Sequence, residues 1–383
     1  MFLALRDLRF ATGRFALMGS VVALISLLLV MLSGLTAGLG GQNTAAIDRL
    51  GEQGVQRLVF GGAAGQEPTA SFTQSEFTVA QRDAWAATDG VASVEPLGVS
   101  QGRAIGLEHP VDTDPQGRAD VSGEPTTGVA TTAFIGLTPG GSDAPAGVEP
   151  GEIVLSQDVA DSLHAQAGDA VAVSGFVYTV ADVVPTEYYS HSPVTWLALE
   201  DWNAISHTAD DAVLGTAGLV RFDAGADVDA VAAAGDDAAG TVAETVKGSY
   251  AALPSYRSEN GSLMTMQGFL YGISALVVIA FLSIWTVQRT RDIAVLKALG
   301  GSNGWVLKDS LAQAAFVLVG GVAVGTGLAA VIGAFAGRAV PFELSWATTA
   351  VPAVGVLVLG MLAAVVAVYR VTRIDPLVAL GGN

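Results

Sequence analysis

Cysteine is missing from all 383 residues. That excludes a disulfide, a zinc–thiolate centre and a lipid-modified cysteine, so any folded part holds together by burial and hydrogen bonding. Charge is scarce too. Asp, Glu, Lys and Arg make up 14% of the chain, whereas soluble domains carry roughly a quarter. Basic residues are the scarcer kind, with 18 Lys and Arg against 36 Asp and Glu and a net charge of −18. Binding a phosphate backbone needs basic surface, so the charge balance argues against a nucleic-acid partner. A Gly-x-x-x-x-Gly-Lys-Ser/Thr loop is also missing, so the chain has no loop of that kind to cradle nucleotide phosphates.

Long apolar runs fill the space that charge leaves. Hydrophobic residues make up 51% of the chain, and a bilayer crossing needs roughly 20 of them in a row. Four stretches without Asp, Glu, Lys or Arg meet that length: 15–42, 262–288, 310–337 and 344–369. The first is too long for a signal-peptide core of roughly 7–15 residues and reads as a retained span. Four spans put both termini on one side. Segments 1–14, 289–309 and 370–383 hold nine basic and four acidic residues, leaving nine basic and 32 acidic elsewhere. Basic residues stay on the cytoplasmic side. The expected fold is therefore a four-helix membrane protein in the plasma membrane, both termini cytoplasmic, with residues 43–261 as a mixed α/β extracytoplasmic domain between helices one and two.

Within that domain, 153–155 reads as a short strand and Ser156 as the cap of a helix through Leu163, with Val159, Ala160 and Leu163 on one face. Gly168-Asp169 reads as a turn before a hairpin of 170–173 and 177–184. Segments 62–70 and 111–127 are rich in turn formers and read as loops, and 224–247 reads as a return containing a helix. The acidic excess shows no ligand spacing for a cation, so no intrinsic metal or cofactor is expected.

Segment 288–301 places Ile293, Leu296 and Leu299 on one face of a short helix, with Arg291, Asp292 and Lys297 elsewhere and Gly300 at its end. Such a helix suits docking into a partner's groove. Gly34-x-x-x-Gly38 and Gly268-x-x-x-Gly272 suit close helix packing in a membrane.

The run Arg291, Asp292, Ile293, Leu296, Lys297, Ala298, Leu299, Gly300 resembles the signature of FtsX-like permeases, the family that includes MacB-type exporters. The tail from Arg373 through Ile374, Asp375 and Pro376 to Leu380 is similar to the closing motif of that family. So is the order of one span, an outer domain, then three spans. This resemblance implies a permease that is not itself an enzyme. It would form a homodimer, with two copies of a separate ABC ATPase holding ATP and Mg. The helix around Arg291 would couple the two, and Gly34, Gly38, Gly268 and Gly272 would pack the helices at the interface.

Segments 185–196, 254–263 and the N-terminal run from Arg6 to Gly19 resemble the haem-efflux permeases of Gram-positive bacteria, which implies haem as the substrate. Haem iron accepts Met, Tyr or His, and propionates suit basic partners. Met31, Met264, Met266, Tyr271, Tyr256, Arg257, Glu259, Tyr189 and His191 are the candidates, with Met31 the first choice for the iron. Two further functions fit the family resemblance: export of another hydrophobic substrate (a drug, peptide or lipoprotein), and transmission of ATPase motion to an outer cell-wall enzyme without transport.

Overall fold

The structure is a computed structural model that describes residues 12–63, 66–206, 212–288 and 303–372. The docking-helix residues Arg291, Asp292, Ile293, Leu296, Lys297 and Leu299, and the tail motif from Arg373, lie outside the described residues. The chain divides into two units, one of residues 1–39 with 260–383 and one of residues 40–259.

Four long helices build the first unit: α1 (Thr12–Glu52), α6 (Pro254–Gln288), α7 (Asn303–Ala336) and α8 (Trp346–Thr372). Each contains a window long and apolar enough to cross a membrane. Their core unites Phe15, Met18, Val22 and Leu29 of α1 with Val278 and Leu282 of α6, Leu318 of α7 and Ala364 of α8. Phe15 sets its ring edge against Trp285, 4.8 Å between centroids. Near-contact of α1 and α7 rests on Gly325, where an added Cβ would lie 2.1 Å from the Ala23 carbonyl oxygen. Large apolar side chains outside this core remain exposed, among them Leu17, Phe269, Phe335 and Leu362. So much apolar surface is untenable in water and fits contact with lipid.

Two helices outrun their apolar stretches. Residues 43–52 prolong α1 because Ala46, Ile47 and Leu50 line one face and are buried in the core of the second unit. α6 begins at Pro254, a residue suited to a first helical position, where its missing N–H leaves no bond unmade.

The second unit holds the strands: β1 (Arg57–Phe60), β2 (Phe77–Thr78), β3 (Val91–Leu107), β4 (Thr126–Leu137), β5 (Glu152–Ser156), β6 (Ala170–Val173), β7 (Phe176–Val184), β8 (Tyr188–Tyr189), β9 (Ser192–Ala198), β10 (Val213–Gly215), β11 (Ala217–Phe222) and β12 (Val242–Thr245). Four short helices join them: α2 (Val79–Ala86), α3 (Gln157–Leu163), α4 (Leu199–Ile205) and α5 (Val228–Ala239).

Strand β3 is long enough to serve two sheets. Its first half pairs with β11, which continues through β1 to β12. Its second half pairs with both β4 and β6. The pairings β4–β9, β9–β5, β5–β7 and β7–β6 then close a six-stranded barrel. Alternation splits the strand residues between cores, so Ile153 and Leu155 join one cluster and Val154 another. Helices α2 and α5 cover the β12–β1–β11 side around Trp85, whose indole N–H donates to Thr241 at 2.9 Å.

The region 151–184 folds as its sequence pattern predicts, with one difference. Ser156 occupies the cap position of α3 but makes no capping bond. It is buried at the end of β5, and its hydroxyl donates to the Val194 carbonyl instead. Thr186 supplies the missing acceptor, taking the Asp158 N–H at 3.0 Å.

Candidate functional site

In the helical unit, α1 turns Leu28, Met31, Leu32 and Leu35 to one side at helical spacing. These four side chains line an apolar cavity of about 570 Å³ together with Met266, Phe269 and Leu270 of α6 and Ala336, Val340 and Phe342. Gln267, next to Met266, donates from Nε2 to Thr36 at 3.1 Å and fastens α6 to α1 beside the cavity. None of the ten lining residues is charged. The volume lies within the roughly 300–1,000 Å³ of small-molecule sites. Met31 and Met266 give it two thioether sulfurs, and Phe269 and Phe342 two aromatic rings.

The link between α7 and α8 is tied back onto α1. The Glu343 N–H donates to the Gly34 carbonyl at 3.0 Å. Phe342 sits where side chains at Gly34 and Gly333 would stand: a Cβ at the first would lie 2.3 Å from its ring, and at the second 2.5 Å. A Cβ on Gly38 would lie 2.2 Å from the Pro341 carbonyl oxygen. Gly34 and Gly38 thus receive a segment of their own chain. Gly268 and Gly272 lie differently, with nothing within 4 Å of an added Cβ.

A polar cluster forms in the α/β unit. Strands β8 and β9 join through Ser190 and His191, both at positive φ, 47° and 64°. Neither residue type favours that conformation in the way glycine does. Backbone bonds from both N–H groups hold it, Ser190 to the Asn43 carbonyl at 3.1 Å and His191 to the Gln42 carbonyl at 2.9 Å. His191 Nε2 then lies 2.9 Å from each carboxylate oxygen of Glu259. Asn43 donates to Glu259 at 3.2 Å and accepts from the Ser255 hydroxyl at 2.7 Å. Nothing in the sequence pairs His191 with Glu259; the fold sets them in direct contact, and Asn43 donates to the same carboxylate.

The remaining candidates scatter. Tyr189 is a core side chain, 3% exposed and edge-on to Phe72 at 5.7 Å, and burial pushes its phenol pKa up. Tyr256 packs its ring on Tyr250 at 5.4 Å, and Tyr250 in turn donates to Asp48. Arg257 is exposed. Tyr271 packs against α8 at Gly355, where a Cβ would lie 2.8 Å from its ring. Met264 is exposed and does not line the cavity. Of the nine candidates, Met31 and Met266 meet at one site and His191 and Glu259 at another. Phe342, Gly333 and Asn43 were missed. For the first two, the only sequence cue is Pro341 in the short link between two spans.

Residues 264–376 match the family model described as FtsX-like permease C-terminal. A protein of Staphylococcus haemolyticus named "Putative hemin transport system permease protein HrtB" is 30% identical over 130 residues, which cover 34% of this chain and 37% of that one. The "Uncharacterized ABC transporter permease YknZ" of Bacillus subtilis is 29% identical over 126 residues, 31% of each chain. The matches thus span about a third of these relatives' length. Among solved structures, the extracellular domain of YknZ aligns with 49% of this chain at 13% identity and a TM-score of 0.32. The periplasmic region of MacB from Actinobacillus actinomycetemcomitans aligns with 50% at 10% identity and a TM-score of 0.34.

Proposed function

We propose that this chain, which carries an FtsX-like permease domain across residues 264–376, is the permease subunit of an ATP-driven ABC exporter that extrudes haem from the membrane. The observation that carries the reading is the cavity. It is apolar, it lies among helices able to cross a bilayer, and it presents Met31 and Met266. Thioether sulfur is a ligand for haem iron, and a flat apolar macrocycle is matched by aromatic and aliphatic walls. Similarity to relatives named as hemin permeases in two staphylococcal species points the same way.

ATP hydrolysis would belong to a separate ATPase pair, as the family resemblance implies; a Gly-x-x-x-x-Gly-Lys-Ser/Thr loop does not occur in this sequence. The segment 291–299, between α6 and α7, is the expected docking helix. A second permease copy would seat on α6, where Gly268 and Gly272 are open and Phe269, Ile273 and Leu276 are exposed. Both termini and this segment would face the cytoplasm and the α/β unit the outside, following the basic residues.

One observation favours a second reading, export of an uncharged hydrophobic molecule. The cavity lining offers no cation to a propionate. Haem would have to direct its carboxylates out of the cavity.

The test is a haemin titration of the full chain with its ATPase partner in lipid nanodiscs, recording the absorption spectrum and ATP hydrolysis. Haem export predicts a Soret shift, faster hydrolysis, and an altered iron spectrum in Met31→Ala. A flat titration with unchanged hydrolysis would remove haem as the substrate.

A further inference from the structure

Phe342 is enclosed by glycine on two sides and by open space on a third. The Gly34 and Gly333 positions close on its ring, so tightly that a single methyl at either would overlap it. The remaining side belongs to the cavity wall that it shares with Met31 and Met266. The backbone beneath the ring is fixed by the bond from Glu343 N–H to the Gly34 carbonyl at 3.0 Å. A Cα held in this way leaves the side chain one large freedom, rotation about χ1 between staggered wells. A ring forced from the notch has the cavity to enter.

We infer that Phe342 is the residue that sets what the cavity accepts: parked in the Gly34–Gly333 notch it leaves room for an apolar ligand, and out of the notch it fills that room. This assignment rests on the cavity being the substrate site of the proposed exporter, but not on the substrate being haem. The two glycines are then part of the specificity device. Each supplies the volume of one missing side chain, and together they hold an aromatic ring. Size selection follows from the same geometry, since a shorter side chain at 342 joins the notch to the cavity.

The experiment uses the full chain in lipid nanodiscs and two probes, 1-aminoanthracene by fluorescence and haemin by absorbance. Gly34→Ala places its methyl 2.3 Å from the present ring position, and we expect it to weaken 1-aminoanthracene binding at least tenfold. Phe342→Ala in the Gly34→Ala background removes the displaced ring and restores binding to within about threefold of wild type, a coupling that a double-mutant cycle isolates. Phe342→Ala alone binds 1-aminoanthracene and also accepts a bulkier analogue, 9,10-diphenylanthracene, that the wild type refuses. Circular dichroism and the melting temperature identify a variant that has lost its fold, in which case the Phe342→Ala size test decides.

Unchanged binding in Gly34→Ala, no rescue in the double variant, or no change of size limit in Phe342→Ala overturns the assignment. So does a wild type that binds no 1-aminoanthracene. A wild type that binds 1-aminoanthracene, shows the rescue and ignores haemin supports the gate and removes only haem.

Discussion

Glu187 follows α3 and the hairpin of β6 and β7, half-buried with Oε1 3.5 Å from the Arg49 guanidinium. Its other oxygen is buried and finds no partner among the described residues. Burial pushes the carboxyl pKa above its ordinary 4.5, Arg49 opposes the rise and Glu52 adds to it. Folding therefore favours the neutral acid relative to the unfolded chain. Its contribution to stability is complete below pH 4.5 and falls as pH rises through the raised folded value. Glu187→Gln keeps the shape and discards the charge, so its melting temperature should exceed that of wild type at pH 7 and match it near pH 4. A variant less stable at pH 7 would mean that attraction to Arg49 outweighs desolvation.

The same scale shows what a sequence hides. Met31 and Met266 were named from the sequence as sulfur ligands that haem iron accepts, and the fold sets both in one cavity wall. Phe342 was not, since phenylalanine beside a span is ordinary and its notch is made by glycines about 300 residues apart in sequence order from each other. Asn43 was hidden for a related reason: a polar residue at the end of an apolar run marks a boundary in any reading, and its bonds to Ser255 and Glu259 appear only after folding.

At the scale of elements, the four spans were readable because charge bounds each apolar run. Their true lengths were not. Residues 43–52 fall beyond the apolar run, at the start of the expected outer domain, but Ala46, Ile47 and Leu50 keep α1 going by burial in the α/β core. The hairpin of β6 and β7 was legible from alternation, whereas barrel closure through the β3–β6 pairing depends on one long strand that pairs with β11 at its first half and with β6 at its second. Close packing of α1 and α7 gives this scale its prediction. Gly325→Ala puts a methyl 2.1 Å from the Ala23 carbonyl, while Gly327→Ala meets nothing within 4 Å. Overpacking typically costs about 1–3 kcal/mol. Thermal unfolding in mild detergent should show a lowered melting temperature for Gly325→Ala alone; equal effects from both would place the contact elsewhere.

The whole molecule joins two units with separate cores. Helix α6 runs unbroken from Pro254 to Gln288, ending just before the segment 291–299 that would meet an ATPase. An ATPase pair that closes and opens could bias such a helix between two arrangements. Haem export then demands directed, ATP-dependent movement, which binding alone does not establish.

The most direct measurement follows haem in proteoliposomes holding the full chain and its ATPase, loaded with haemin in the bilayer and with apo-myoglobin trapped inside as acceptor. In vesicles whose ATPase faces outward, added ATP should speed the transfer of haem to the internal myoglobin, and Met31→Ala should slow it. Transfer at the same rate with and without ATP would contradict ATP-driven haem export by this chain.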